Sequence, residues 1–138
     1  MKPDFSARFL RQARKFGNDE DGSTTIEAVL WIPMFAFLTV MIADASFIFY
    51  GRAQAMRLIQ DGNRAYSVGR LENAAATSTY IATLLSELSP NAMVTTTVSG
   101  GIVTSSASIP VDDLVAFGSI PSLNGFTTIV RSQHYLEY

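Results

Sequence analysis

The side chains able to do chemistry are few in this sequence and far apart. Its single histidine, His134, stands among serines and glutamine near the end of the chain, and there is no cysteine at all. Acyl-transfer chemistry needs a nucleophile, a base and an orienting group in mutual reach, and a lone histidine supplies no such set. The pair Asp112-Asp113 lacks the alternating oxygen ligands of a calcium loop and reads as a turn or the start of a short helix. No glycine-rich phosphate loop is present. Without cysteine there can be no disulfide, no zinc-thiolate site and no thiol nucleophile; that fits a reducing compartment or an envelope protein held together by other contacts. The sequence therefore offers no enzyme, no cofactor or metal site and no small-molecule pocket chemistry. What remains are two carboxylates in an unusual setting, Glu27 at the entry to the one long apolar run and Asp44 within it.

A charge at such a place is costly unless something uses it. Glu27 closes the stretch Gly22-Ser23-Thr24-Thr25-Ile26-Glu27, and from Ala28 to Tyr50 the chain is apolar apart from Asp44, with Thr39 and Ser46 mildly polar. A run of this length crosses a hydrocarbon core, which takes about 20 residues. Thr24-Thr25-Ile26-Glu27 also matches a capping box, predicting that a helix starts at Ser23 or Thr24 after Gly22 breaks what precedes it. Pro33 falls in the second turn, a position that membrane helices tolerate better than soluble ones. For Asp44 two readings stand: its side chain reaches the membrane interface near the far end of the span, or it makes an intramembrane polar contact with another helix. Ala43-Asp44-Ala45 has the small-x-small form of a secretory cleavage site, but the apolar run continues past it through Phe47, Ile48, Phe49 and Tyr50, and the segment before it is long and acidic near its end.

The elements around these residues divide the chain into four parts. Residues 1–22 form a basic leader, with Lys2, Arg8, Arg11, Arg14 and Lys15 interleaved with Phe5, Phe9, Leu10 and Phe16. It reads either as an amphipathic helix on an anionic membrane surface or as a cytoplasmic tail that sets orientation. Residues 23–50 are the transmembrane helix. Residues 51–70 extend it, with Ala55, Leu58, Ile59, Gly62, Tyr66 and Gly69 on one face; the helix either uses its glycines for close approach of a partner or breaks at Gly62. Residues 71–138 form a small domain. A second helix is expected over residues 73–88 with the stripe Ile81, Leu84, Leu85 and Leu88, then a β-hairpin turning at Gly100-Gly101, a short turn after Pro110, and a third strand within residues 126–138. The fold class is α+β: a long N-terminal membrane helix extended into a small extracytoplasmic domain, where one further helix packs on a three-stranded antiparallel sheet. Of ten Lys and Arg, nine lie between Lys2 and Arg70, which favours a cytoplasmic N-terminus. With a net charge of −2 the chain gives no electrostatic case for nucleic acid.

The basic leader, Gly22, four residues, and Glu27 opening an apolar helix resemble the processing site of type IV pilin-like proteins. Over Asp21-Gly22-Ser23-Thr24-Thr25-Ile26-Glu27-Ala28 the chain is similar to the TadE-like (TadE/TadF) minor pilins of the Tad, or Flp, pilus. The resemblance implies a prepilin peptidase that cuts after Gly22 and leaves Ser23 as the new N-terminus. It further implies that Glu27 neutralises the terminal amine of a neighbouring subunit. Its implied partners are that peptidase, other pilin-like subunits, the Tad inner-membrane assembly proteins and the lipid bilayer. The implied location is the bacterial inner membrane, single-pass, with the C-terminal domain in the periplasm. Ala28 stands where major Flp pilins often have tyrosine, which points to a minor component. The alternative is an uncut anchor that presents a small adhesive or protein-binding domain.

Overall fold

A single helix, α1, runs over Asp21–Ser67 and includes Pro33. The structure, a computed structural model, describes residues 21–137. Residues 1–20 of the basic leader lie outside the described residues. The chain is already helical at Asp21, where the described residues begin, so Gly22 lies within α1 and the helix does not start at Ser23 or Thr24 as expected. One interior glycine costs about 1 kcal/mol. That is too little to stop a helix that the residues after it propagate cooperatively. Residues up to Thr39 and residues from Val40 onward form two separate compact units. In the first, the described residues are all helix, and large apolar side chains such as Ile26, Leu30, Ile32 and Phe37 lie exposed.

The second unit holds the rest of α1, helix α2 (Ala74–Leu85) and strands β1 (Met93–Ser99), β2 (Ile102–Pro110) and β3 (Thr127–Tyr135). α1 does not break at Gly62. It ends four residues beyond Asn63, where Arg70 N–H bonds to the Ala65 carbonyl and Gly69 N–H to the Tyr66 carbonyl, both at 2.9 Å. This is a Schellman stop, and Gly69, at φ 74°, occupies its left-handed position rather than a helix face. Asn73 caps α2 by accepting from Ala76 N–H at 2.8 Å. The buried stripe of α2 is Thr77, Ile81 and Leu85, with Leu84 turned partly outward.

The sheet is antiparallel in the order β1-β2-β3. Ser99 pairs with Ile102 across Gly100 and Gly101, both at positive φ, as a two-residue hairpin turn demands. β2 alternates strictly, with Val103, Ser105, Ala107 and Ile109 buried. Their face meets Ala55 and Ile59 of α1 and Ile81 and Leu85 of α2, and Leu114 and Val130 complete the core. The expected α+β fold, a long apolar helix and one further helix with a three-stranded antiparallel sheet, is the one observed.

One polar row crosses this core. Ser105 and its paired neighbours Thr96 and Ser132 lie side by side on the three strands. Asn63 of α1 accepts from Ser105 Oγ at 2.6 Å and donates through Nδ2 to the Ser132 carbonyl at 3.0 Å, while the Thr96 hydroxyl lies 2.8 Å from that of Ser105. Each of these groups is buried or partly so, and each is paired, which a dry core requires. Immediately before Asn63, a Cβ on Gly62 would stand 2.2 Å from Ile81 Cγ1, so the glycine is what lets α2 lie this close to α1.

Asn63→Ala takes away one of the two partners of the Ser105 hydroxyl, which keeps Thr96, and the amide donor to the Ser132 carbonyl, at a cost of about 1–3 kcal/mol in all. Denaturant unfolding of the detergent-solubilised protein, followed by circular dichroism, should show a loss of that size. Gly62→Ala gains about 1 kcal/mol of helix propensity but overpacks Ile81 at a cost of about 1–3 kcal/mol. A net loss of stability is expected, and it should shrink in the background of Ile81→Ala, which removes the obstructing atoms.

Candidate functional site

Two places hold the carboxylates singled out in the sequence, one in each compact unit. In the first unit Gly22 and Ser23 lie in the opening turn of the described helix. One turn later comes Glu27, exposed, whose Oε1 accepts from Trp31 Nε1 at 3.4 Å, and Trp31 in turn meets Phe35 at a ring separation of 5.8 Å. Residues i and i+4 share a helix face, so Glu27, Trp31 and Phe35 form one stripe. Among the described residues this indole bond leaves the carboxylate most of its acceptor capacity.

Asp44 is the opposite case. It is 1% exposed although it stands in the apolar run. The loop that follows β2 and the short 3₁₀ turn Val111–Asp113 folds back onto it. Oδ1 accepts from the backbone N–H groups of Ala116 at 3.2 Å and Phe117 at 2.9 Å. Oδ2 accepts from Ser119 N–H at 2.7 Å and Ser119 Oγ at 2.5 Å. Two amides converge on one oxygen and an amide plus a hydroxyl on the other, filling the carboxylate with charge-assisted bonds. The loop turns through Gly118, at φ 61°, which a side-chain-bearing residue rarely adopts. Leu114, just before the loop, packs where a Cβ on Gly51 would come within 2.6 Å of its Cδ2, so the loop is held against α1 at two heights. The partner that the structure gives Asp44 is thus a loop of its own chain.

The remaining candidates are placed as follows. Asp113 accepts from Ser89 Oγ and from Asn91 Nδ2 at 3.2 Å, and the Ser89 hydroxyl leads in holding its carboxyl below the usual carboxylate range. Asp112 accepts from Gly125 N–H at 3.2 Å. Both acids therefore tie turns together. His134 lies on β3 with Nε2 3.5 Å from Glu137 Oε1. Among the described residues, no group of three or more His, Asp or Glu side chains converges as a metal site would.

The helix that carries Gly22, Glu27 and Asp44 is long and apolar enough to cross a membrane. Residues 22–64 match the family model of TadE-like proteins. This segment is similar to TadE-like proteins. The TadE-like segment begins at Gly22, takes in Glu27 and Asp44, and ends one residue after Asn63, so it includes the helix positions that anchor the sheet and the loop. The sheet and α2 lie beyond it. No curated protein and no solved structure matches the chain. The candidate span accords with anchoring in a membrane.

Asp44→Ala removes every acceptor that holds the loop. Hydrogen exchange at the amides of Ala116, Phe117 and Ser119 should then rise to the rate of an open loop, while the amides of Val103 and Val130 in the sheet keep their protection. Unchanged exchange at all three loop amides would show that other contacts hold the loop.

Proposed function

We propose that the protein is a minor pilin-like, or pseudopilin, component in the biogenesis of a Tad pilus, acting by assembly and not by catalysis. The observation that carries this reading is the match to TadE-like proteins from Gly22 onward, laid over a helix that opens with Gly22-Ser23, bears Glu27 one turn later and continues into an apolar run. In this reading α1 inserts into the inner membrane with its N-terminus in the cytoplasm and residues 71–138 in the periplasm. A prepilin peptidase cuts between Gly22 and Ser23. The new Ser23 amine is a positive charge at a helix start, and Glu27 of an adjacent subunit is its counter-ion. In low dielectric such a pair holds two helices in one register, because either charge left alone is expensive. The exposure of Glu27 supports the idea, since a carboxylate at the surface, hydrogen-bonded to the Trp31 indole among the described residues, is available to exchange that contact for an ammonium.

Small residues would let other pilin-like helices approach. Ala36, Ala43, Ala45 and Ser46 are of the kind that membrane helix pairs use.

Mass spectrometry of the membrane-extracted protein should find a mature N-terminus at Ser23 in cells with an active prepilin peptidase, and at Met1 when the peptidase is absent. Glu27→Gln should insert and be cut normally, yet fail to support piliation. An intact Met1 terminus together with normal piliation by Glu27→Gln would defeat the pilin-like reading and leave the uncut anchor.

A further inference from the structure

We propose that loop 115–120 is seated in the lipid boundary of the membrane, with Phe117 inserted among the acyl chains and Asp44 as the clamp that holds it there. This rests on the reading of the apolar run as a membrane span. A span takes roughly 20 apolar residues, and between Glu27 and Asp44 the sequence supplies only the 16 residues from 28 to 43. The span must therefore continue past Asp44, and the next charged residue, Arg52, lies eight positions on, about 12 Å along the helix. The membrane edge accordingly falls between Asp44 and Arg52. The loop amides that bond Asp44 stand at its height on the helix, on the lipid side of that edge.

The loop has the composition for such a site. No charged residue occurs between Asp113 and Arg131. The Phe117 side chain is 65% exposed although its own N–H is tied down to Asp44, so the ring projects from a fixed backbone. Phe47 and Tyr50, one and two turns further along α1, are also exposed, and the latter is of the type that anchors at membrane interfaces. Irregular backbone is tolerated at such a depth only where its polar groups are satisfied; the Asp44 carboxylate takes the N–H groups of Ala116, Phe117 and Ser119, and they in turn take its charge. The clamp thus solves two desolvation problems at once, and it fixes how deeply the folded domain sits on the bilayer.

The absence of cysteine makes the test direct. The full chain is reconstituted into phosphatidylcholine–phosphatidylglycerol vesicles with a single cysteine at Phe117, Ala36 or Thr97, each labelled with an environment-sensitive fluorophore. The Phe117 probe should be quenched by nitroxide on the lipid acyl chains and shielded from aqueous iodide, as the Ala36 probe is, while the Thr97 probe on β1 shows the reverse. Adding Asp44→Ala should abolish lipid quenching at Phe117 and leave Ala36 unchanged. A Phe117 probe open to iodide while Ala36 stays lipid-quenched would overturn the proposal and spare the span. Shielding from iodide without lipid quenching would mean that another protein surface covers the loop, and would overturn it too. Persistent quenching in the Asp44→Ala background would remove Asp44 from its role. Loss of lipid quenching at Ala36 would sink the span reading and the proposal together.

Discussion

The folded unit depends on Asn63. A domain of this size has few apolar side chains to hold a sheet in one place on a helix, and apolar contacts alone set no register. One amide does so here, accepting from Ser105 on the central strand and donating to Ser132 on its neighbour, with Thr96 of the third strand joined through Ser105. A shift of the sheet by one residue along α1 would leave these groups unpaired in a dry interior, and the cost of each orphan exceeds the net worth of an ordinary hydrogen bond. Gly62 beside it brings α2 to the same place from the other side. The remainder of the packing, Ala55 and Ile59 against Ala107, Ile109 and Val130, follows once that row is set.

With the sheet anchored at Asn63, the chain after β2 is directed back along the helix. Leu114 meets Gly51, and seven helix residues before that glycine the loop amides reach Asp44. The same helix therefore serves two environments. Residues up to Thr39 show large apolar side chains on their surface, while the later part gives one face to a folded domain.

Glu27 stands in contrast to Asp44. Both are carboxylates in the apolar helix, but Asp44 has every lone pair engaged within its own chain, while Glu27 is exposed and accepts from the Trp31 indole among the described residues. A satisfied carboxylate stabilises its own fold, whereas an exposed one at a membrane entry is suited to meeting a charge from outside. The two acids thus divide the work of folding and, in the proposed function, of assembly.

The sequence by itself determined the local elements. The apolar run, the Gly100-Gly101 turn, the alternation of β2 and the Ile81–Leu85 spacing are short-range patterns, each dictated by a helix or strand period or by the φ freedom of glycine. The Gly22–Glu27 spacing was legible for the same reason, since a motif read along the chain needs no fold to be seen. Gly69 was misplaced because a Schellman glycine falls at helical spacing from the residues before it. Only the tertiary structure decided the partners of Asn63 and Asp44. Asn63 meets Ser132 across 69 residues and Asp44 meets Ser119 across 75. Nothing local distinguishes a serine or a glycine loop that will close on a distant carboxylate from one that will face water; the choice is made when burial removes the water and leaves those donors as the ones in reach.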